Sequence, residues 1–69
     1  MKELFYFTFT ERSAFDGCLQ PVWANHEKNA INIIMAGYGS DWDRLYNAQE
    51  GRVIKDNQGL VLLDALGVE

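Results

Sequence analysis

Cysteine, histidine and proline each occur once in these 69 residues, as Cys18, His26 and Pro21. A lone cysteine allows no disulfide within the chain, which fits a reducing compartment better than secretion. His26 and Cys18 as the only soft ligands exclude a zinc cluster, and no cofactor is expected. Long apolar runs are missing too. The longest, residues 33–36 and 60–63, fall far short of the ~20 residues that cross a bilayer. Lys2 is followed at once by Glu3 and an alternating segment, so no secretory leader is expected. The chain therefore reads as one complete cytoplasmic domain over residues 1–69. Basic residues are scarce: 6 against 10 acidic ones, for a net charge of −4. Nucleic acids require a basic face, so direct DNA or RNA binding is disfavoured, whereas a basic protein surface is a compatible partner. No glycine pattern of a phosphate loop occurs, because Gly37 and Gly39 follow a helical segment where they would have to precede one.

What remains is 48% hydrophobic and 13% aromatic, enough for a small core. Leu4 to Thr10 alternates with period two and places Phe5, Phe7 and Phe9 on one face, with Leu4, Tyr6 and Thr8 on the other. Glu11 to Gly17 reads as a polar loop. Gly17 to Ala24 is a second extended run, with Val22 and Ala24 on one face and Leu19 and Trp23 on the other. Pro21 lacks an N–H for a ladder, so this strand is expected at an edge or bulged. From Asn25, a good N-cap, the period becomes helical. Ala30, Ile33, Ile34 and Tyr38 form one stripe, widened by Ile31 and Met35, and Gly37 and Gly39 supply the stop. Ser40 to Asn47 alternates again, with Trp42, Arg44 and Tyr46 expected on one side.

The C-terminal third admits two readings. Val53-Ile54 and Leu60 to Leu63 pair as a hairpin, or a short helix near residues 48–55 precedes a strand; Gly51 weakens the helix. The predicted fold is α+β: a small antiparallel sheet of three to five strands with one helix packed on one face, in the order ββαβ(ββ). The expected core is Phe5, Phe7, Phe9, Val22, Ala30, Ile33, Ile34 and Leu45, with Val61 and Leu63 added. Chains of this length bury only about 60% of their unfolded surface, so a complex or an oligomer is a natural source of extra stability.

The residues FYFTFT, a strand ending VWA, and NHEKNAINIIMAGYG form a strand hairpin that enters a helix through Val22, Ala24 and Asn25, with Ala30 facing the sheet. This layout resembles small accessory proteins of phages and prophages, including some anti-CRISPR proteins, over residues 4–46. The resemblance implies a class of genomic origin more than a target; the function expected beside it is a non-enzymatic protein-binding module of phage or mobile-element type, an anti-CRISPR-like inhibitor in the host cytoplasm. The resemblance carries no catalytic residues onto this chain, and Pro21 departs from it.

Catalysis finds no support in the residues. His26 lies at a helix start and Cys18 on a strand, with nothing in their spacing to join them as base and nucleophile. Asp41 and Asp43, or Asp56 to Gly59, supply too few oxygens for calcium. The aromatic first strand lacks the basic flanks of an RNA-stacking surface. The informative surplus is in large amphipathic side chains, because Trp and Tyr are enriched where proteins meet. Tyr6, Leu19, Trp23 and Trp42 would form an exposed sheet face. Alternatively, the C-terminal leucines fold over that face and complete a second core. Asp16, Asp41, Asp43 and Glu50 are expected in loops around the sheet, as solvated surface or as an acidic rim that steers a basic partner. The expected interface is thus Tyr6, Leu19, Trp23, Trp42, Asp41 and Asp43. Its partner would be a basic nuclease or CRISPR effector surface, or, in a second reading, another copy of the chain.

Overall fold

The computed structural model describes residues 1–67; Val68 and Glu69, the end of the expected C-terminal segment, lie outside the described residues. The elements are β1 (Glu3–Phe9), β2 (Cys18–Ala24), α1 (Glu27–Tyr38), β3 (Trp42–Asn47), α2 (Ala48–Gln58) and β4 (Val61–Leu62). They form a four-stranded sheet in the order β3-β1-β2-β4. The α+β class and the first four elements follow the sequence. Of the two readings of the C-terminal third, the structure takes the helix followed by a strand. The single helix is thereby corrected to two, and the antiparallel sheet to a mixed one, because β4 runs parallel to β2.

Alternation in β1 decides both faces. Phe5, Phe7 and Phe9 are buried with Val22, Ala24, Ala30 and Ile34, and α1 covers this face. Ile33, Leu45 and Leu63 pack against that core from its margin. Val61 does not join it: it is 62% exposed on the outermost strand, and Met35 on α1 is also exposed. The helix cap sits one residue later than Asn25. The His26 Nδ1 accepts the Asn29 N–H (3.1 Å), while the Asn25 N–H donates to the Asn29 side chain. Gly39 ends α1 with positive φ, its N–H donating to the Met35 carbonyl.

On the opposite face α2 packs against β1 and β3, while Val61–Leu62 of the leucine tail joins the sheet beside β2. Asn47 and Glu50 form a reciprocal capping box. The Glu50 N–H donates to Asn47 Oδ1 (2.8 Å), and the Asn47 N–H donates to Glu50 Oε1 (3.3 Å). Gly51 then lies on the Tyr6 ring, where a Cβ would fall within 2.9 Å of Tyr6 Cβ and closer still to the ring. The residue that argued against a helix by propensity is what lets this helix approach the sheet.

Pro21 shapes the tail. Val61 and Leu63 donate to the Gly17 and Leu19 carbonyls, so the next rung would need an N–H from position 21. Proline has none, and the tail leaves the strand there. It returns at Leu66, which donates to the Pro21 carbonyl and accepts from Trp23 (both 2.9 Å). Gln20, only 1% exposed, spans the gap: its Nε2 donates to the Asp64 and Pro21 carbonyls, and its Oε1 accepts from Tyr38 Oη at 2.7 Å.

Candidate functional site

The expected sheet-face patch does not exist as a surface. Tyr6 (8% exposed) and Leu19 (0%) are buried on the side that α2 covers. Trp23 and Trp42 are half-buried but far apart. Trp23 pairs with Leu4 at the start of β1, and Trp42 with Phe9 at its end. Five residues of strand separate them, about 17 Å at ~3.4 Å per residue.

Trp42 also faces the other way from the expected alternation. The β1–β3 register slips between Phe7↔Leu45 and Phe9↔Trp42, so Asp43 and Arg44 together oppose Thr8. Such a bulge re-aims the side chains around it. Trp42 thereby packs edge-on to Phe7 on the α1 side, centroids 5.3 Å apart, while Tyr46 stays opposite Tyr6. Asp41 and Asp43 are exposed. Glu50 is in α2, engaged in its cap, and not in a loop.

One end of the molecule collects what remains of the expected interface, joined by a residue that periodicity could not single out. The β1–β2 loop is a succession of turns: Ser13 donates to the Thr10 carbonyl, Asp16 to Ser13, and Cys18 to Phe15. The buried Ser13 hydroxyl accepts the Phe15 N–H at 3.1 Å. This loop holds Phe15 outward at 38% exposure. The Phe15 ring rests on Tyr38 (4.8 Å) and Phe9 (5.5 Å), and Tyr38 packs on Phe9 (5.1 Å). The Thr10 N–H donates to the Asp41 carbonyl (3.0 Å), which ties the entry of β3 to the same end. Loop composition concealed Phe15, since ERSAFDG reads as polar.

Beside this aromatic cluster lies a cleft of about 560 Å³. Asp16 flanks it from the loop, Thr8 from β1, Asp43, Arg44 and Tyr46 from β3, and Gln58 from the end of α2. The bulge is what places consecutive residues 43 and 44 along it. Cys18 also borders the cleft, but His26 caps α1 beyond the far end of β2, about 20 Å away at strand rise, so the two do not meet. Among the described residues no group of three or more His, Cys, Asp or Glu is arranged to hold a metal ion. No helix among them is long and apolar enough to cross a membrane.

Comparison with protein-family models, with curated proteins and with solved structures finds no match to this chain.

Proposed function

We propose that this chain is a non-catalytic protein-binding module that uses the end of the sheet bearing Phe15, Tyr38, Trp42, Asp16 and Asp41. The observation that carries the reading is the turn-locked loop that presents Phe15 to solvent against Tyr38 and Phe9. An aromatic anchor on a rigid loop loses little conformational entropy on binding, and exposed carboxylates around it favour a basic partner. The resemblance of residues 4–46 to phage accessory proteins suggests the partner class: a host nucleic-acid-handling complex, obstructed sterically as anti-CRISPR proteins obstruct theirs.

The test is a panel of purified CRISPR effector complexes immobilised and exposed to the chain, with cleavage of a target plasmid measured alongside. Binding to at least one complex with loss of cleavage is expected. Phe15→Ala and Asp41→Lys should each weaken it at least tenfold, while Val53→Ala on the outer surface of α2 leaves it unchanged. No binding across the panel ends the inhibitor reading. Binding indifferent to Phe15 and Asp41 moves the interface elsewhere.

A second reading, self-association, draws on β4, where Val61 and Leu62 are 62% and 50% exposed on an edge strand. Sedimentation at micromolar concentration decides it: a dimer abolished by Val61→Lys supports pairing through β4, and a monomer refutes it.

A further inference from the structure

We infer that the free edge of β3 is a self-recognition surface for a second copy of this chain, paired antiparallel with Leu45 facing Leu45 of the other copy. β3 is the outermost strand of the sheet on the side away from β4. Which of its backbone groups face outward follows from the tail. The Leu19 and Pro21 carbonyls and the Trp23 N–H bond to the tail, so the alternate residues of β2, at 20, 22 and 24, turn toward β1. Their partners Phe7, Phe5 and Glu3 are thereby spent on β2, which leaves Leu4, Tyr6 and Thr8 to bond β3. Tyr46, opposite Tyr6, faces inward, and its neighbours Leu45 and Asn47 face outward. The capping box takes the Asn47 N–H, and the Asn47 carbonyl accepts the first bond of α2. Leu45 keeps an open N–H and an open carbonyl, and the bulge at Asp43-Arg44 ends the regular edge just before it.

Side chains then select the register. Pairing Leu45 with its own copy exchanges two backbone hydrogen bonds and sets Arg44 directly opposite Tyr46, on the side of the sheet where α2 packs. Tyr46 shares a groove of about 380 Å³ with Gln49, Glu50, Val53 and Ile54 of α2. An Arg44 guanidinium from the second copy thus meets the Tyr46 ring and the exposed Glu50 carboxylate. The cation–π contact and the ion pair are each made twice, once on either side of the two-fold axis. A register shifted by two residues loses this. One shift sets Arg44 against Arg44, like charge on like charge, and the other needs the Asn47 N–H that Glu50 already holds. The bulge and the capping box also close the edge on both sides of Leu45, so the pairing stops at a dimer where a long flat edge would add strands without limit.

The experiment combines sedimentation of the whole chain with backbone amide exchange, from low micromolar concentration up to about 1 mM, where weak complexes assemble. A concentration-dependent dimer is expected. Across that range the Leu45 amide should slow about tenfold, while the Asn47 amide, already paired within each copy, does not change. In an equal mixture of isotopically labelled and unlabelled chain, filtered NOEs should join the α-protons of Arg44 and Tyr46 from different copies. Arg44→Glu should abolish the dimer. Glu50→Gln keeps the capping acceptor and loses the charge, and should weaken the dimer about two- to fivefold, the range of exposed ion pairs. Val61→Lys, on the other edge of the sheet, should leave it unchanged. All three side chains are exposed, and preserved amide dispersion verifies the fold of each variant. A monomer at every concentration, a dimer that survives Arg44→Glu, one lost with Val61→Lys, or Leu45 exchange indifferent to concentration each overturns the pairing.

Discussion

Gly51 of α2 sits against the ring of Tyr6 in β1 so closely that any side chain at position 51 would overlap the ring carbons. Gly51→Ala should therefore destabilise the fold by about 1–3 kcal/mol through overpacking. At an exposed helical position the same change would gain about 1 kcal/mol, so the sign is diagnostic. Urea unfolding followed by tryptophan fluorescence measures it, and a raised midpoint would show that α2 does not approach the sheet here.

Gln20 and Tyr38 form the second coupled pair. Tyr38→Phe leaves the buried Gln20 Oε1 without its donor, at a cost of about 1–3 kcal/mol. Gln20→Leu removes the bridge to Asp64 as well, and should speed hydrogen exchange at the Leu63 and Leu66 amides relative to Phe7. In a double-mutant cycle the two changes should couple by about 0.5–3 kcal/mol. Additive losses would mean that the two side chains act independently.

The helix starts offer opposite signs. Asn47→Ala breaks the capping box of α2 and should cost about 0.5–2 kcal/mol. Exchanging the imidazole cap of α1 by His26→Asp should stabilise by about 0.5–1 kcal/mol, because a carboxylate at the N-cap both accepts the free N–H groups and meets the helix dipole favourably. Thermal melts of the two variants should move in opposite directions.

Position 61 separates exposure from hydrophobicity. Val61→Lys should change stability by no more than about 0.5 kcal/mol, as a surface substitution. Val22→Ala, at 0% exposure beneath α1, should cost about 1–3 kcal/mol by cavity formation. Equal effects in denaturant titrations would place Val61 in the core after all.

The strand of phenylalanines and the stripe of α1 were legible because their periods report directly on burial. The cover of the other face was not. α2 reads AQEGRVIKDNQ, with few apolar residues and a glycine inside it, so the helix stayed one of two open readings, with Gly51 counted against it. The usable signal was Asn47 followed three residues on by Glu50, a capping box that outweighs the glycine. Tyr6 and Leu19 were assigned to the correct face, but the interface reading needed that face open, and both residues are buried. Trp42 was misplaced for a different reason: alternation holds only while the register does, and the extra residue at Asp43-Arg44 reverses it. Phe15 escaped because its position depends on turn hydrogen bonds and on Tyr38, thirty-eight residues into the chain, and not on any local period.

The missing amide of Pro21 has a practical side. Between the rungs at Leu63 and Leu66 the tail forms a short arch in which Ala65 is exposed. Lengthening such an arch interrupts no ladder, and each doubling of a flexible loop adds only about 0.6 kcal/mol of closure entropy. Position 65 is thus a natural graft point for a fluorophore or affinity peptide, letting the molecule be tethered or tracked while the anchor loop and its neighbouring cleft stay native.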